Sequence, residues 1–152
     1  MPDYSLLARQ IEALAEDCPE EVALMANVSA LLWETLPDLN WAGFYRVRGD
    51  ELLLGPFQGK VACVRIARGR GVCGTAWETD ATQLVPDVHA FPGHIACDSA
   101  SRSEIVVPLH GGSGGVKAVL DIDSPLPARF SDEDRAGLED AARALARCIV
   151  WA

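Results

Sequence analysis

The sequence predicts one α+β domain that spans all 152 residues, 1–152. Three observations predict it. Apolar residues recur at helical spacing at both ends of the chain, strand-like segments fill the middle, and no repeat, low-complexity stretch or linker divides the chain. A composition of 49% hydrophobic and 23% charged residues also excludes an intrinsically disordered chain.

Two helices are predicted in the first part of the chain. The second should open at Pro19, because proline suits a first helical position, and Glu20 and Glu21 then lie where the helix dipole favours acids. Pro37 should end it. The expected apolar stripes are Leu6, Leu7, Ile11 and Leu14 in the first helix and Val22, Met25, Val28, Leu31 and Leu32 in the second.

The middle of the chain predicts mostly antiparallel strands. Gly49-Asp50 is typical of a hairpin turn, and the glycine-rich segment 110–115 should close a second hairpin. A loop over 68–74 should lead into a short helix that ends near Asp80. The stretch 86–101 is a loop long enough to indicate function or mobility. The predicted strands cover 41–48, 51–57, 61–66, 83–85, 104–109 and 116–123.

A last helix is predicted after Ser131. Ser131 suits an N-cap, and Asp134 three residues later completes a pattern like a capping box. The buried stripe of this helix should contain Leu138, Ala142, Leu145 and Ile149.

The charge and the cysteine count limit the environment and the partners. Thirteen basic against 22 acidic residues give a net charge of −9, which disfavours nucleic acid and anionic lipid as partners. The apolar runs are too short to span a bilayer, and the chain begins without the features of a signal peptide. Five cysteines, an odd number, then indicate free thiols in a reducing cytoplasm.

Three carboxylates are expected on one face of the last hairpin. Alternation of side chains along the two strands places Glu104, Asp121 and Asp123 opposite the apolar face. Pairing Leu109 with Val116 would set Glu104 directly across from Asp121, with Asp123 diagonal to both. Because like charges in such positions destabilise a sheet, the cluster is either a solvated face or the floor of a pocket that raises a carboxyl pKa. A Mg²⁺ or Ca²⁺ site is also open, although no matching loop motif is present.

The five cysteines divide by their surroundings. Cys18 and Cys148 fit small buried packing residues. Cys63 lies in a strand context near an arginine, Cys73 follows two arginines near a predicted helix start, and Cys97 follows a histidine in the long loop. Such surroundings favour thiolates, so these three form the candidate reactive set.

Zinc and plain core packing are alternatives for this trio. Cys63, Cys73, His89, His94 and Cys97 include enough ligand types for zinc. Their spacings are poor, however, because no Cys-x-x-Cys pair is present. We therefore expect no metal, and we interpret the two histidines as loop residues.

Five longer sequence motifs resemble those of a known protein family. They read GPFQGK at 55–60, GRGVCGTA at 69–76, VPDVHAFPGHIACDS at 85–99, RSEIVVP at 102–108 and LDIDSP at 120–125. Together they resemble the free methionine-R-sulfoxide reductases, which are enzymes built on a GAF domain. The resemblance implies a GAF-like fold, with an antiparallel sheet of about six strands, packed helices and a ligand cavity.

The resemblance also implies a thiol-based oxidoreductase. Cys97 would attack the sulfur of free L-methionine-R-sulfoxide and become a sulfenic acid. Cys63 would then form a disulfide with Cys97, and Cys73 would be an alternative resolving thiol or a relay. Thioredoxin would reduce the disulfide, so no bound cofactor is expected. A homodimer is allowed by this interpretation, and the oligomeric state stays open.

Substrate-binding residues follow from the same resemblance. Glu104, Asp121 and Asp123 would hold the α-ammonium group and supply a proton. Trp41 and Tyr45 would form an aromatic wall for the S-methyl group, or for the ammonium by cation–π attraction. Plain core packing is the alternative for the two aromatic residues. The rival functions are a non-enzymatic GAF sensor that binds a small metabolite and a thiol redox switch without a substrate.

Overall fold

A six-stranded antiparallel sheet with four α-helices forms the protein in the computed structural model, which describes residues 2–94 and 99–152. The strand order is β3-β2-β1-β6-β5-β4. This architecture confirms the predicted α+β fold. The helices are α1 (Tyr4–Asp17), α2 (Glu21–Thr35), α3 (Gly71–Thr79) and α4 (Asp132–Cys148), and the strands are β1 (Trp41–Arg48), β2 (Glu51–Gly59), β3 (Arg65–Ala67), β4 (Gln83–Val85), β5 (Ser103–His110) and β6 (Val116–Ser124).

One face of the sheet is covered by the long helices. α1, α2 and α4 bury their apolar stripes against alternate residues of the central strands, among them Phe44 of β1 and Leu120 and Ile122 of β6. Met25 of α2 and Leu138 of α4 are fully enclosed in this layer. Burial of such side chains is the main stabilising contribution to the fold.

The opposite face of the sheet carries a second, smaller core. Its sheet residues include Trp41, Val106 and Val119, and α3 contributes Cys73 and Trp77. α3 is the α-helix that supplies buried side chains to this core. Part of the face is therefore left to polar side chains and to the segment that follows β2.

The start of α4 agrees with the capping prediction from the sequence, whereas the start of α2 differs from it. α4 has the predicted capping box: the Ser131 hydroxyl accepts from the backbone N–H of Asp134, whose carboxylate accepts from the N–H of Ser131. α2 instead starts two residues after the predicted Pro19. Glu20 is its N-cap and accepts two backbone N–H groups, while Glu21 is buried and pairs with Arg48 at 3.0 Å.

β3 is shorter than predicted. It covers Arg65–Ala67, whereas the sequence predicted a strand over 61–66. The backbone N–H of Leu54 still bonds the carbonyl of Val64, but Val61 is 89% exposed. Residues 61–64 lie outside the sheet because they cross its face opposite the long helices. There Val61 and Ala62 border a pocket.

The pairing of β5 with β6 differs from the predicted register. Glu104 lies opposite Asp123, not Asp121, and Asp121 lies opposite Val106. The prediction was wrong by two positions in β6. Because the shift is even, every side chain stays on its expected face.

A bulge at the end of this hairpin explains the shift. The turn is one residue tighter than predicted, with the N–H of Gly111 bonding the carbonyl of Gly115, so that His110 already pairs with Val116. The next pair is Leu109 with Ala118, which leaves Lys117 as the extra residue of a β-bulge. Regular pairing continues from there to Ser103.

Within the described part of the chain, every helix is too short or too polar to cross a membrane.

Candidate active site

A pocket lies on the polar face of the sheet, between β1, β5 and β6, the start of α3 and the segment after β2. Six of the predicted site residues line it, namely Trp41, Tyr45, Cys73, Glu104, Asp121 and Asp123. The topology brings them together because β1, β6 and β5 are adjacent in the sheet. Cys63 lies beside this group, since its carbonyl accepts the Tyr45 hydroxyl at 2.8 Å. Cys97 lies outside the described residues.

The carboxylates are buried in the pocket floor. Glu104 is 7% exposed and Asp121 is 6% exposed, so the alternative of a solvated sheet face is wrong. Burial raises the pKa of Glu104 well above its usual range, and the neighbouring charges of Asp121 and Asp123 raise it further. Burial also raises the pKa of Asp121, against hydrogen bonds from Glu104 and Cys73 that lower it.

The protons in this cluster are therefore held unevenly. Glu104 hydrogen-bonds to both aspartates and its pKa is raised well above its usual range, whereas hydrogen bonds from Glu104 and Cys73 oppose the effect of burial on the pKa of Asp121; this difference favours the proton on Glu104 over Asp121. One oxygen of Asp121, Oδ1, is buried and has no hydrogen-bond partner among the described residues. An acceptor of this kind is costly to leave unpaired, which points to a donor from a bound ligand.

Cys73 is a buried thiol rather than an exposed nucleophile. It is the third residue of α3 and is 5% exposed. Burial raises its pKa well above the usual range, with further contributions from the Asp121, Glu104 and Asp123 charges, and its thiol donates a hydrogen bond to Asp121. The expectation that the nearby arginines and helix start favour a thiolate is wrong for this residue, because burial and then the neighbouring carboxylates raise the pKa of its thiol.

Aromatic rings form one wall of the pocket. The rings of Trp41 and Tyr45 are stacked with their centres 5.8 Å apart, and both residues are almost fully buried. The indole N–H of Trp41 donates to the carbonyl of Lys60 at 3.1 Å. Burial raises the pKa of Tyr45 well above its usual value, with the pocket charges adding to it, so the phenol stays neutral. Both polar tips are occupied by backbone carbonyls, and the ring faces are left for apolar contact.

Phe57 is a member of this wall that the sequence analysis missed. Its ring stacks on Trp41 at 5.0 Å between centres. Phe57 of β2 lies opposite Gly43 of β1, and a Cβ on Gly43 would come within 2.3 Å of the Phe57 Cβ. Gly43 thus makes room for the ring. A regular hairpin around Gly49-Asp50 would set Phe57 opposite Ala42, on the other face from Trp41; the register shift between Gly43 and Tyr45 brings Phe57 to the Trp41 face.

Polar residues at the rim were also missed as site residues. Arg70, Ser101 and His94 line the same pocket. His94 was expected to be a loop residue only. Partial burial lowers its pKa, and the neighbouring His89 lowers it further, so the imidazole is neutral near pH 7.

The remaining cysteines differ from one another. Cys63 is disulfide-bonded, whereas Cys18, Cys73 and Cys148 are free thiols. Cys18, expected to be a packing residue, is exposed at the C-cap of α1, so that expectation is wrong. Cys148 is half-buried against the helical core, as expected of a packing residue.

The same pocket offers a set of metal-ligand atoms that the sequence analysis did not consider. The Sγ atom of Cys73 and one carboxylate oxygen each from Glu104 and Asp121 lie within 4.8 Å of one another. The zinc set weighed from the sequence contributes only Cys73 to this group within the described residues.

Comparisons with known proteins identify the family. A model of the GAF domain matches residues 10–149. The chain is 52% identical over 146 residues to the free methionine-R-sulfoxide reductase of Escherichia coli, covering 96% of this chain and 88% of that protein.

Solved structures agree with this assignment. The reduced form of fRMsr from Staphylococcus aureus has a TM-score of 0.94 at 47% identity and covers 99% of this chain and 97% of that one. The free methionine-R-sulfoxide reductase of Neisseria meningitidis in complex with its substrate has a TM-score of 0.91 at 47% identity, over 95% of this chain and 87% of that one. The chain therefore belongs to the GAF-domain family and, within it, to the free methionine-R-sulfoxide reductases.

Proposed function

We propose that this protein reduces free L-methionine-R-sulfoxide to methionine. The observation that carries the proposal is the pocket floor, where Glu104, a buried carboxyl with a pKa well above its usual range, hydrogen-bonds to Asp121 under a wall of stacked aromatic rings. This pocket matches a small zwitterion that carries a weakly polar sulfur group. The relatives of the same family support the assignment.

Substrate binding follows from the unpaired groups of the pocket. The α-ammonium group would donate to Asp121 Oδ1, the buried acceptor without a partner among the described residues. The S-methyl group would contact the faces of Trp41 and Tyr45, since thioethers and sulfoxide methyl groups pack well against aromatic rings. A methionine within a peptide has no α-ammonium group, so the ionised carboxylate selects the free amino acid.

Proton delivery is assigned to Glu104. The sulfoxide oxygen becomes a good leaving group only when it is protonated. A carboxyl whose pKa is raised by burial and by like charges keeps its proton to higher pH than an ordinary glutamate and can donate that proton. Asp123, directly opposite Glu104 in the sheet, adds to the negative surroundings that keep the proton on Glu104.

The redox steps involve two of the three candidate cysteines. The Cys97 thiolate would attack the sulfoxide sulfur, and the oxygen would end on Cys97 as a sulfenic acid while methionine leaves. The thiol of Cys63 would then displace that oxygen as water and form a disulfide, so that two electrons pass from two thiols to the substrate. The disulfide-bonded state of Cys63 supports its role as the resolving thiol.

Cys73 is assigned to the binding site instead of to resolution. Its thiol is buried, protonated and hydrogen-bonded to Asp121. A thiol in this state attacks slowly, because the thiolate is the nucleophile. We assign it the role of orienting the Asp121 carboxylate, whose other oxygen faces the ligand.

The reductant is proposed to be thioredoxin, with no bound cofactor. A dithiol protein must reach the sulfur of an oxidised cysteine, and the residues beside Cys63 suit a docking protein: Val61 is 89% exposed and Val64 is 52% exposed. Dependence on thioredoxin agrees with a cytoplasmic location, which we propose on the same grounds.

The test is thioredoxin-coupled turnover of purified protein, followed by NADPH oxidation with thioredoxin reductase. We expect turnover with free L-methionine-R-sulfoxide and none with the S epimer or with a peptide-bound sulfoxide. Cys97→Ser should abolish it, and Cys18→Ser, at an exposed free cysteine, is the matched control. A reduced wild-type protein without turnover would refute the proposed activity, and equal rates on peptide-bound sulfoxide would refute the role of the carboxylates.

A further inference from the structure

The thiol and the two carboxyl groups of the pocket floor also match a second class of ligand. Cys73 Sγ and single oxygens of Glu104 and Asp121 lie within 4.8 Å of one another, on the first turn of α3 and on two adjacent strands. All three residues are more than nine-tenths buried. One sulfur and two oxygens converging in this way resemble a three-ligand zinc site with a fourth position left for water.

A second observation points to a ligand at the same place. Asp121 Oδ1 is fully buried and has no hydrogen-bond partner among the described residues. The charges that act on the Cys73 thiol from its surroundings are all negative, from Asp121, Glu104 and Asp123. A buried cluster of this sign with an unpaired acceptor stabilises a cation.

We propose that the pocket binds a zinc-class divalent cation through Cys73, Glu104 and Asp121, and that this cation competes with the substrate. The inhibitory part rests on the proposed function, whereas the binding itself does not. Zinc is favoured over magnesium because a thiolate is among the ligands, and because three converging donors suit a tetrahedral ion better than an octahedral one.

Binding exchanges protons of the ligands for the ion. Zn²⁺ takes the place of the proton on the Cys73 sulfur and is also held by one carboxylate oxygen each from Glu104 and Asp121. Because metal ligands must be deprotonated, the thiol proton and any carboxyl proton are released to solvent. The repulsion among the buried acids is relieved in that state. Occupation of Asp121 by the ion removes the acceptor assigned to the substrate ammonium.

The experiment is a titration of the full-length protein with its Cys63 disulfide closed, which leaves Cys18, Cys73 and Cys148 as the free thiols. Zinc chloride is titrated by calorimetry in two buffers of different protonation enthalpy, and cobalt chloride is followed by absorption of the thiolate-to-cobalt charge transfer. We expect one ion per chain, release of protons and a charge-transfer band. Free L-methionine-R-sulfoxide should weaken the apparent affinity in proportion to its concentration.

Matched variants locate the site. Cys73→Ser and Asp121→Asn should each weaken zinc binding by more than about 100-fold, since even groups that only orient a ligand are worth about 10- to 100-fold. Cys18→Ser should bind zinc like the wild type and keep the cobalt band. Thermal melts of the variants establish that they are folded, and the two different substitutions guard against a loss caused by misfolding of one of them.

Two outcomes would overturn the inference. One is zinc binding that survives Cys73→Ser or disappears in Cys18→Ser, because the ligands would then lie elsewhere. The other is magnesium binding with the affinity of zinc, because the thiolate would then make no contribution. Failure of the proposed reductase activity leaves the titration interpretable, since it involves no turnover, and absent zinc binding in a protein with full turnover contradicts this inference alone.

Discussion

Replacing Glu104 by glutamine should separate the activity of the protein from its stability. Glutamine has the size of the protonated glutamate and can keep hydrogen bonds to both aspartates, but it cannot deliver a proton to a leaving oxygen. General acid catalysis by a positioned group is worth about 10²–10⁴-fold in rate, so kcat for sulfoxide reduction should fall by that factor. The wild type should lose rate at high pH as Glu104 ionises, and this loss should be absent from the variant.

The same substitution should stabilise the protein at neutral and alkaline pH. An unfolded glutamate ionises near 4.5, whereas folded Glu104 keeps its proton to a much higher pH. Between these two pKa values the folded state holds one proton more than the unfolded state. The free energy of unfolding of the wild type therefore falls by up to about 1.4 kcal/mol for each pH unit in that window. Glutamine does not titrate, so the variant lacks this pH dependence of the free energy of unfolding. The pH dependence that remains comes from Asp121, whose pKa is also raised.

The assay combines steady-state kinetics with urea unfolding at several pH values above 4.5. Glu16→Gln, on the exposed side of α1, is the matched control and should change neither property. An unfolding free energy that depends on pH equally in Glu104→Gln and in the wild type would refute the buried protonated carboxyl. A kcat lowered by less than about tenfold would refute Glu104 as the proton donor.

Three further predictions test other parts of the molecule. Cys63→Ser should release about one methionine per protein in a single turnover and lose thioredoxin-driven cycling, whereas Cys73→Ser should still form the disulfide, as seen by thiol counting; the reverse pattern would exchange their roles. Val64→Asp should raise the KM for thioredoxin at least about fivefold without changing turnover driven by dithiothreitol, with Val22→Asp on α2 as the control, and an equal loss with both reductants would contradict a docking role. Ser131→Ala should lower the free energy of unfolding in urea by about 0.5–2 kcal/mol, because it removes the N-cap hydroxyl that accepts from the backbone N–H of Asp134; a change near zero would show that the cap contributes nothing.

Local chemistry in the sequence was enough to predict several parts of the structure. Ser131 and Asp134 define the start of α4 without help from the rest of the chain. Side-chain alternation placed Glu104, Asp121 and Asp123 on one face, because the period of a strand survives any even shift of register. Both predictions were confirmed because they depend only on residues close together in the sequence.

Features that depend on distant contacts could not be predicted in the same way. Glu21 looks like an acid placed for the helix dipole, but it is buried against Arg48 of β1, a partner from another element. The protonation of Cys73 is set by carboxylates that the fold brings from β5 and β6, not by the arginines beside it in the chain. Phe57 joins the aromatic wall only once the β1–β2 register is known.

The bulge at Lys117 has a consequence for how the hairpin tolerates insertions and deletions. Removing Lys117 would leave the pairs His110–Val116 and Leu109–Ala118 as consecutive rungs of an ordinary ladder, so the carboxylates further along β6 would keep their partners. Changes in the length of the turn can thus be absorbed before they reach the pocket. The turn can vary in length while the pocket carboxylates of β5 and β6 keep their positions. The tip of this hairpin is therefore a suitable position for grafting a peptide or a label.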